Sequence, residues 1–115
     1  MKKFLLSFTF AWKGLAYAFR TQLNFKVHIL VSLLAITSGF LLEINTQEWL
    51  WILLAIAMVL VTELLNTALE TLVDLVSPEY HPKAGAVKDI AAAAVLIMAF
   101  LSVLIGLIVF VPKLI

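Results

Sequence analysis

The chain contains no cysteine, which excludes disulfide frameworks, thiolate metal sites and cysteine nucleophiles. Charge is also scarce: Asp, Glu, Lys and Arg make up 13% of the residues, against about a quarter in soluble domains. The net charge of +1 provides no global field for nucleic acid, and no nucleic-acid partner is expected. Only four glycines occur (Gly14, Gly39, Gly85 and Gly106), and none belongs to a G-x-x-x-x-G-K-[ST] phosphate loop. Protein-kinase signatures are missing as well. Any nucleotide chemistry must therefore use another architecture. Internal repeats, low-complexity stretches and heptad arrays are absent.

What the chain has is apolar surface, at 64% of its 115 residues. A chain of this size makes one domain (1–115), and a soluble core this small cannot hide so much apolar area. The fold class expected is all-α and integral to a membrane, with three transmembrane helices plus an N-terminal amphipathic surface helix. The start, Met1-Lys2-Lys3-Phe4-Leu5-Leu6, looks like a signal peptide. The apolar run breaks at Ser7, Thr9, Trp12 and Lys13 with no small-residue cleavage pattern, so it reads as mature sequence.

The surface helix covers about 2–24. Phe4, Phe8, Trp12, Leu15 and Phe19 recur at helical spacing, while Lys3, Lys13 and Arg20 fall on another face. An ordinary helix packed on protein is the alternative. Spans are expected at about 25–42, 49–76 and 88–111. Residues 43–48 (EINTQE) read as a polar loop, and Ser77-Pro78 ends the second helix. Residues 79–87 read as a second loop, and Ala91–Ala94 as a strip for close helix packing. Residues 90–111 carry no charge over about 33 Å of helix. Five of the eight basic residues (Lys2, Lys3, Lys13, Arg20, Lys26) precede the first span, none lies in 43–48, and Lys83 and Lys88 follow the second. The positive-inside rule then places the N-terminus and the 77–89 loop in the cytoplasm.

Glu63, Asn66, Glu70 and Asp74 are spaced three, four and four apart, so they share one face of the second helix, with Thr67 beside them. Glu63 falls about 21 Å down that helix, within hydrocarbon depth. An ionisable residue there is costly, and its default reading is functional. Clustered carboxylates suit magnesium bridging substrate phosphates, and one of them suits a general base. A structural hydrogen-bond network between spans is the competing reading. Lys88 is placed to meet phosphate or to snorkel; Asp89 is placed to help a site or to cap a helix.

The block Glu63-Leu64-Leu65-Asn66-Thr67-Ala68-Leu69-Glu70-Thr71-Leu72-Val73-Asp74 resembles the signature of the prokaryotic diacylglycerol kinase family, which includes undecaprenol kinases. Glu79-Tyr80-His81, Gly85-x-x-Lys88-Asp89 and Trp12-Lys13-Gly14-Leu15 fit the same pattern, so the likeness covers nearly the whole chain. It implies a homotrimer of three-span subunits in the bacterial inner membrane, with a cytoplasmic active site. It further implies transfer of the γ-phosphate of ATP to the hydroxyl of a membrane lipid. By this resemblance Glu63 is the general base, Asn66 orients it or the phosphate, and Glu70 ligates Mg2+. Glu70, Glu79, Tyr80, His81, Lys88 and Asp89 then bind ATP, while Asp74 and Lys13 support the site.

Gln22 stands where many members carry a glutamate as second metal ligand, and its amide oxygen is a weaker ligand than a carboxylate. Phe10 stands where a hydroxyl-bearing aromatic is common. Asn24-Phe25-Lys26-Val27-His28 resembles an element frequent in undecaprenol kinases, which favours undecaprenol slightly over diacylglycerol. A transporter, proton-conducting protein or structural subunit is the competing class, since intramembrane acids are typical there too.

Overall fold

A computed structural model describes residues 1–115 as four helices: α1 (Lys2–Thr21), α2 (Leu23–Leu41), α3 (Thr46–Val76) and α4 (Pro82–Leu114). There is no strand. The last three are long and apolar enough to cross a membrane, and α1 precedes them as the expected extra helix. The molecule measures 52 × 42 × 20 Å. Only 12 of 115 residues are buried within the chain, so most apolar side chains have lipid or other protein as their solvent.

A single extended residue, Gln22 (φ −116°, ψ 109°), separates α1 from α2. Ala18 and Phe25, the most deeply buried apolar side chains, flank this elbow. The surface helix thus ends at Thr21 rather than residue 24, and the first span starts at Leu23 rather than 25.

The α2–α3 turn is built by local chemistry. Ile44 N–H donates to the Gly39 carbonyl and Glu43 N–H to that of Phe40, the paired bonds of a Schellman cap. Glu43 occupies the left-handed position (φ 52°), which glycine usually fills. Gly39 is needed for a different reason: a Cβ there would lie 2.6 Å from the Trp49 ring. Residues 43–48 are not all loop, because Asn45 starts α3. Its side chain accepts from Glu48 N–H at 2.9 Å and its own N–H donates to Glu48 Oε1 at 3.0 Å, a complete capping box. Ile44 packs with Trp49, the staple position that accompanies such a box.

The second loop is also shorter than expected. α4 begins at Pro82, where the missing N–H costs nothing, and His81 caps it by accepting from Lys83 N–H. Asp89 therefore sits well inside the helix, and the capping role considered for it does not apply. α4 continues past residue 111 to Leu114, with Pro112 inside it.

α3 packs chiefly on α4, less on α2 and lightly on α1. Ser102 donates to the Ala55 carbonyl across the α3–α4 interface, at 3.2 Å. Lys113 pairs with Glu48 at 3.1 Å, tying the end of α4 to the start of α3. Of Ala91–Ala94 only Ala91 is buried, so within one chain a single alanine of the strip packs closely. With 31 and 33 residues, α3 and α4 run about 46 and about 50 Å, well beyond a hydrocarbon core of about 30 Å. Asp74 and Lys88 lie together at the end where α3 turns into α4.

Candidate active site

The polar face of α3 divides into a dry part and a wet part. Glu63 is 1% exposed and neither of its carboxylate oxygens has a hydrogen-bond partner in the chain. Asn66 and Thr67 are buried beside it. Thr67 donates its hydroxyl to the Glu63 carbonyl at 2.9 Å, a bond that fixes the helix and leaves the carboxyl free. Asn66 Nδ2 donates to Glu70 Oε1 at 3.2 Å, while Asn66 Oδ1 is buried without a partner. Leaving a buried acceptor without a partner costs about 1–3 kcal/mol. Three such atoms in adjacent turns mark a place built for something other than stability.

His28 approaches from α2, with Nε2 3.7 Å from Glu63 Oε2 and its side chain 22% exposed. The two residues lie at neighbouring depths. At helical rise Glu63 lies about 26 Å below the start of α3, and His28 about 20 Å below the end of α2. Sequence reasoning attached His28 to substrate choice and not to Glu63. The signal available was that the two depths on antiparallel neighbours differ by only about 6 Å, a gap that two long side chains can span.

At the wet end, Lys88 Nζ donates to Asp74 Oδ1 at 2.6 Å, joining α3 to α4 across the turn. Asp74, Ser77, Glu79, Tyr80, His81 and Lys88 line a polar recess of about 270 Å³. Tyr80 stands almost fully exposed at its mouth. Asp89 is exposed one residue further on. The recess therefore gathers most of the residues expected to meet nucleotide.

Other expected residues do not join. Lys13 is exposed over the Phe10 ring at 5.7 Å and bonds none of the carboxylates. Gln22 is half-buried at the elbow, and its side chain makes no hydrogen bond to Glu70. Within one chain no three acidic or histidine side chains converge to enclose a metal ion. Glu70 nonetheless fits a magnesium ion carried in by nucleotide, since such an ion takes one or two carboxylates and fills its shell with phosphates and water. Only one Glu70 oxygen is engaged by Asn66.

Against the dry part lies an apolar groove of about 780 Å³ between α1 and α3. Gly14, Leu15 and Ala18 form one wall; Leu64, Thr67 and Leu72 form the other. Glu63 itself does not line the groove: it lies about 100° around the helix from Leu64, behind Thr67.

Residues 9–110 match the family described as prokaryotic diacylglycerol kinase. The chain belongs to that family. It is 42% identical over 114 residues to the undecaprenol kinase of Bacillus subtilis, a match covering 99% of this chain and 93% of that one. Against the diacylglycerol kinase of Synechocystis it is 44% identical over 103 residues, covering 89% and 59%. The diacylglycerol kinase of Escherichia coli is 32% identical over 95 residues, covering 83% and 78%. Family membership makes this protein a lipid kinase, a phosphotransferase with an alcohol acceptor, and a multi-pass membrane protein. The transporter and structural-subunit readings are set aside. For a lipid kinase, the division of the polar face makes chemical sense. A buried carboxyl suits the lipid hydroxyl, and an exposed polar recess suits nucleotide.

Proposed function

We propose that the protein transfers the γ-phosphate of ATP to the hydroxyl of undecaprenol, with Glu63 as general base. The observation that carries this reading is the Glu63 carboxyl, 1% exposed and without a hydrogen-bond partner in the chain. Undecaprenol is preferred because the relative matched over 93% of its own length bears that name. Diacylglycerol is the second reading, from the names of the other two relatives.

In this mechanism the lipid hydroxyl reaches Glu63 laterally from the bilayer, and Glu63 takes the proton as the oxygen attacks phosphorus. Asn66, bonded to Glu70, keeps the two carboxylates apart and orients the reacting groups. Lys88 leaves Asp74 for the nucleotide phosphates, while Glu79, Tyr80, His81 and Asp89 hold the rest of the nucleotide. Lys13 supports the site from the surface helix. Glu70, with Gln22 as a weaker ligand, would hold magnesium, whose charge offsets that on the transferring phosphoryl group. Positioning of this kind supplies most of the catalysis in phosphoryl transfer.

A homotrimer in the bacterial inner membrane, with the N-terminus and active site cytoplasmic, completes the proposal. Sparse burial within one chain supports oligomerisation, and the distribution of basic residues supports the orientation. The test is transfer of labelled phosphate from ATP by purified protein in mixed micelles holding undecaprenol or diacylglycerol. Faster labelling of undecaprenol is expected. Faster labelling of diacylglycerol reverses the substrate assignment, and no labelling of either ends the proposal.

A further inference from the structure

Each turnover leaves one proton on Glu63, and that proton has to depart before the next lipid hydroxyl can be deprotonated. The carboxyl has almost no exposed surface through which to release it. Its neighbours on α3 are committed elsewhere: Asn66 Nδ2 to Glu70, and the Thr67 hydroxyl to a backbone carbonyl. The one ionisable side chain within ion-pair distance is His28, reaching across from α2 with Nε2 3.7 Å from Glu63 Oε2. The His28 side chain is 22% exposed, so the chain does not cover it completely. It lies about 8 Å from the start of α2, one short step from the end that carries Lys26 and the elbow. No hydrogen bond holds the imidazole ring in place; the Ser32 bond goes to the His28 backbone carbonyl.

We infer that His28 is the positioning residue and proton outlet of Glu63, a role that rests on Glu63 acting as the base. As the lipid oxygen bonds to the γ-phosphorus, the bond from that phosphorus to the departing ADP oxygen breaks. The hydroxyl proton passes to Glu63. It then moves to His28 Nε2, on the tautomer protonated at Nδ1, and the imidazolium gives a proton to solvent from its exposed edge. Tautomer exchange with solvent restores the starting state. One proton leaves the lipid, one reaches solvent, and no oxidant or reductant is needed. The 3.7 Å separation is wider than a hydrogen bond, as catalytic contacts often are before substrate binds. While the proton is elsewhere, the ring also holds Oε2 to one side and leaves Oε1 without a partner.

The test uses the full-length protein in mixed micelles, with ATP and whichever lipid alcohol the wild type phosphorylates. His28→Ala and His28→Gln are compared with and without added imidazole, and Glu63→Gln is run in parallel. Both His28 variants are expected to lose turnover by about 10²-fold, with KM for ATP unchanged. Imidazole is expected to recover about a tenth or more of the turnover of His28→Ala, as general acid–base rescue requires, and none of Glu63→Gln. Wild-type turnover in His28→Gln overturns the inference. So does a His28→Ala defect that imidazole leaves untouched, because a merely structural loss is not relieved by a free base. Should His28→Ala fail to fold, His28→Gln decides alone, since its amide can touch Glu63 but cannot carry the proton. An active Glu63→Gln sinks the base assignment, whereas an inactive Glu63→Gln beside an active His28→Gln sinks only the relay.

Discussion

The two ends of α3 are made by opposite rules. At its start the charged and capping groups are paired: Asn45 and Glu48 cap each other, Glu48 pairs with Lys113, and Ile44, Ile52 and Val109 close a small core. Further along the same helix, Glu63 and Asn66 bury three polar atoms with no hydrogen-bond partner. One end spends its side chains on stability and the other forgoes stability for a reactive group. A helix of this length lets both exist in one element without interfering.

That contrast can be broken at several points. Leaving Glu63 itself aside, the largest effect is expected at the wet end. Lys88→Ala should lower kcat/KM for ATP about 10²-fold, equivalent to about 2.7 kcal/mol. Its melting temperature should hardly move, because the Lys88–Asp74 pair is solvent-exposed. A large fall in melting temperature would show that the pair is structural. Next comes the capped end. Gly39→Ala forces a methyl to 2.6 Å from Trp49 and should cost about 1–3 kcal/mol in unfolding experiments, with kcat unchanged in the folded fraction. Asn45→Ala should cost about 1 kcal/mol through loss of the capping box. The smallest effect has the opposite sign: Glu43→Gly relieves the left-handed residue and should stabilise by up to about 1 kcal/mol. If Gly39→Ala or Asn45→Ala altered turnover while leaving stability intact, the division of labour along α3 would be wrong.

Much of the fold was legible in the sequence because the bilayer imposes it. Long uncharged runs have few alternatives to spanning helices, and spacings of three and four put Glu63, Asn66, Glu70 and Asp74 on one face. The ends of the helices were less legible. Asn45-x-x-Glu48 is a capping-box pattern and Pro82 an N1 signal, yet both sit in polar stretches that composition alone assigns to loops. Hydropathy reads the lipid boundary, and the helix boundary lies several residues further out. The site was legible as residue types and only partly as contacts. The bond between Asn66 and Glu70 follows from helical spacing. The approach of His28 to Glu63 and of Lys88 to Asp74 depends on how three helices pack, which no local pattern encodes.

The central claim is that Glu63 is held buried and unpartnered for the sake of chemistry, at a cost in stability. Turnover and thermal unfolding of Glu63→Gln, measured on the same purified sample, test it most directly. The account predicts a loss of lipid phosphorylation of about 10³-fold together with a melting temperature equal to or above that of the wild type. Near-normal turnover, or activity lost only in step with a fall in melting temperature, would contradict it.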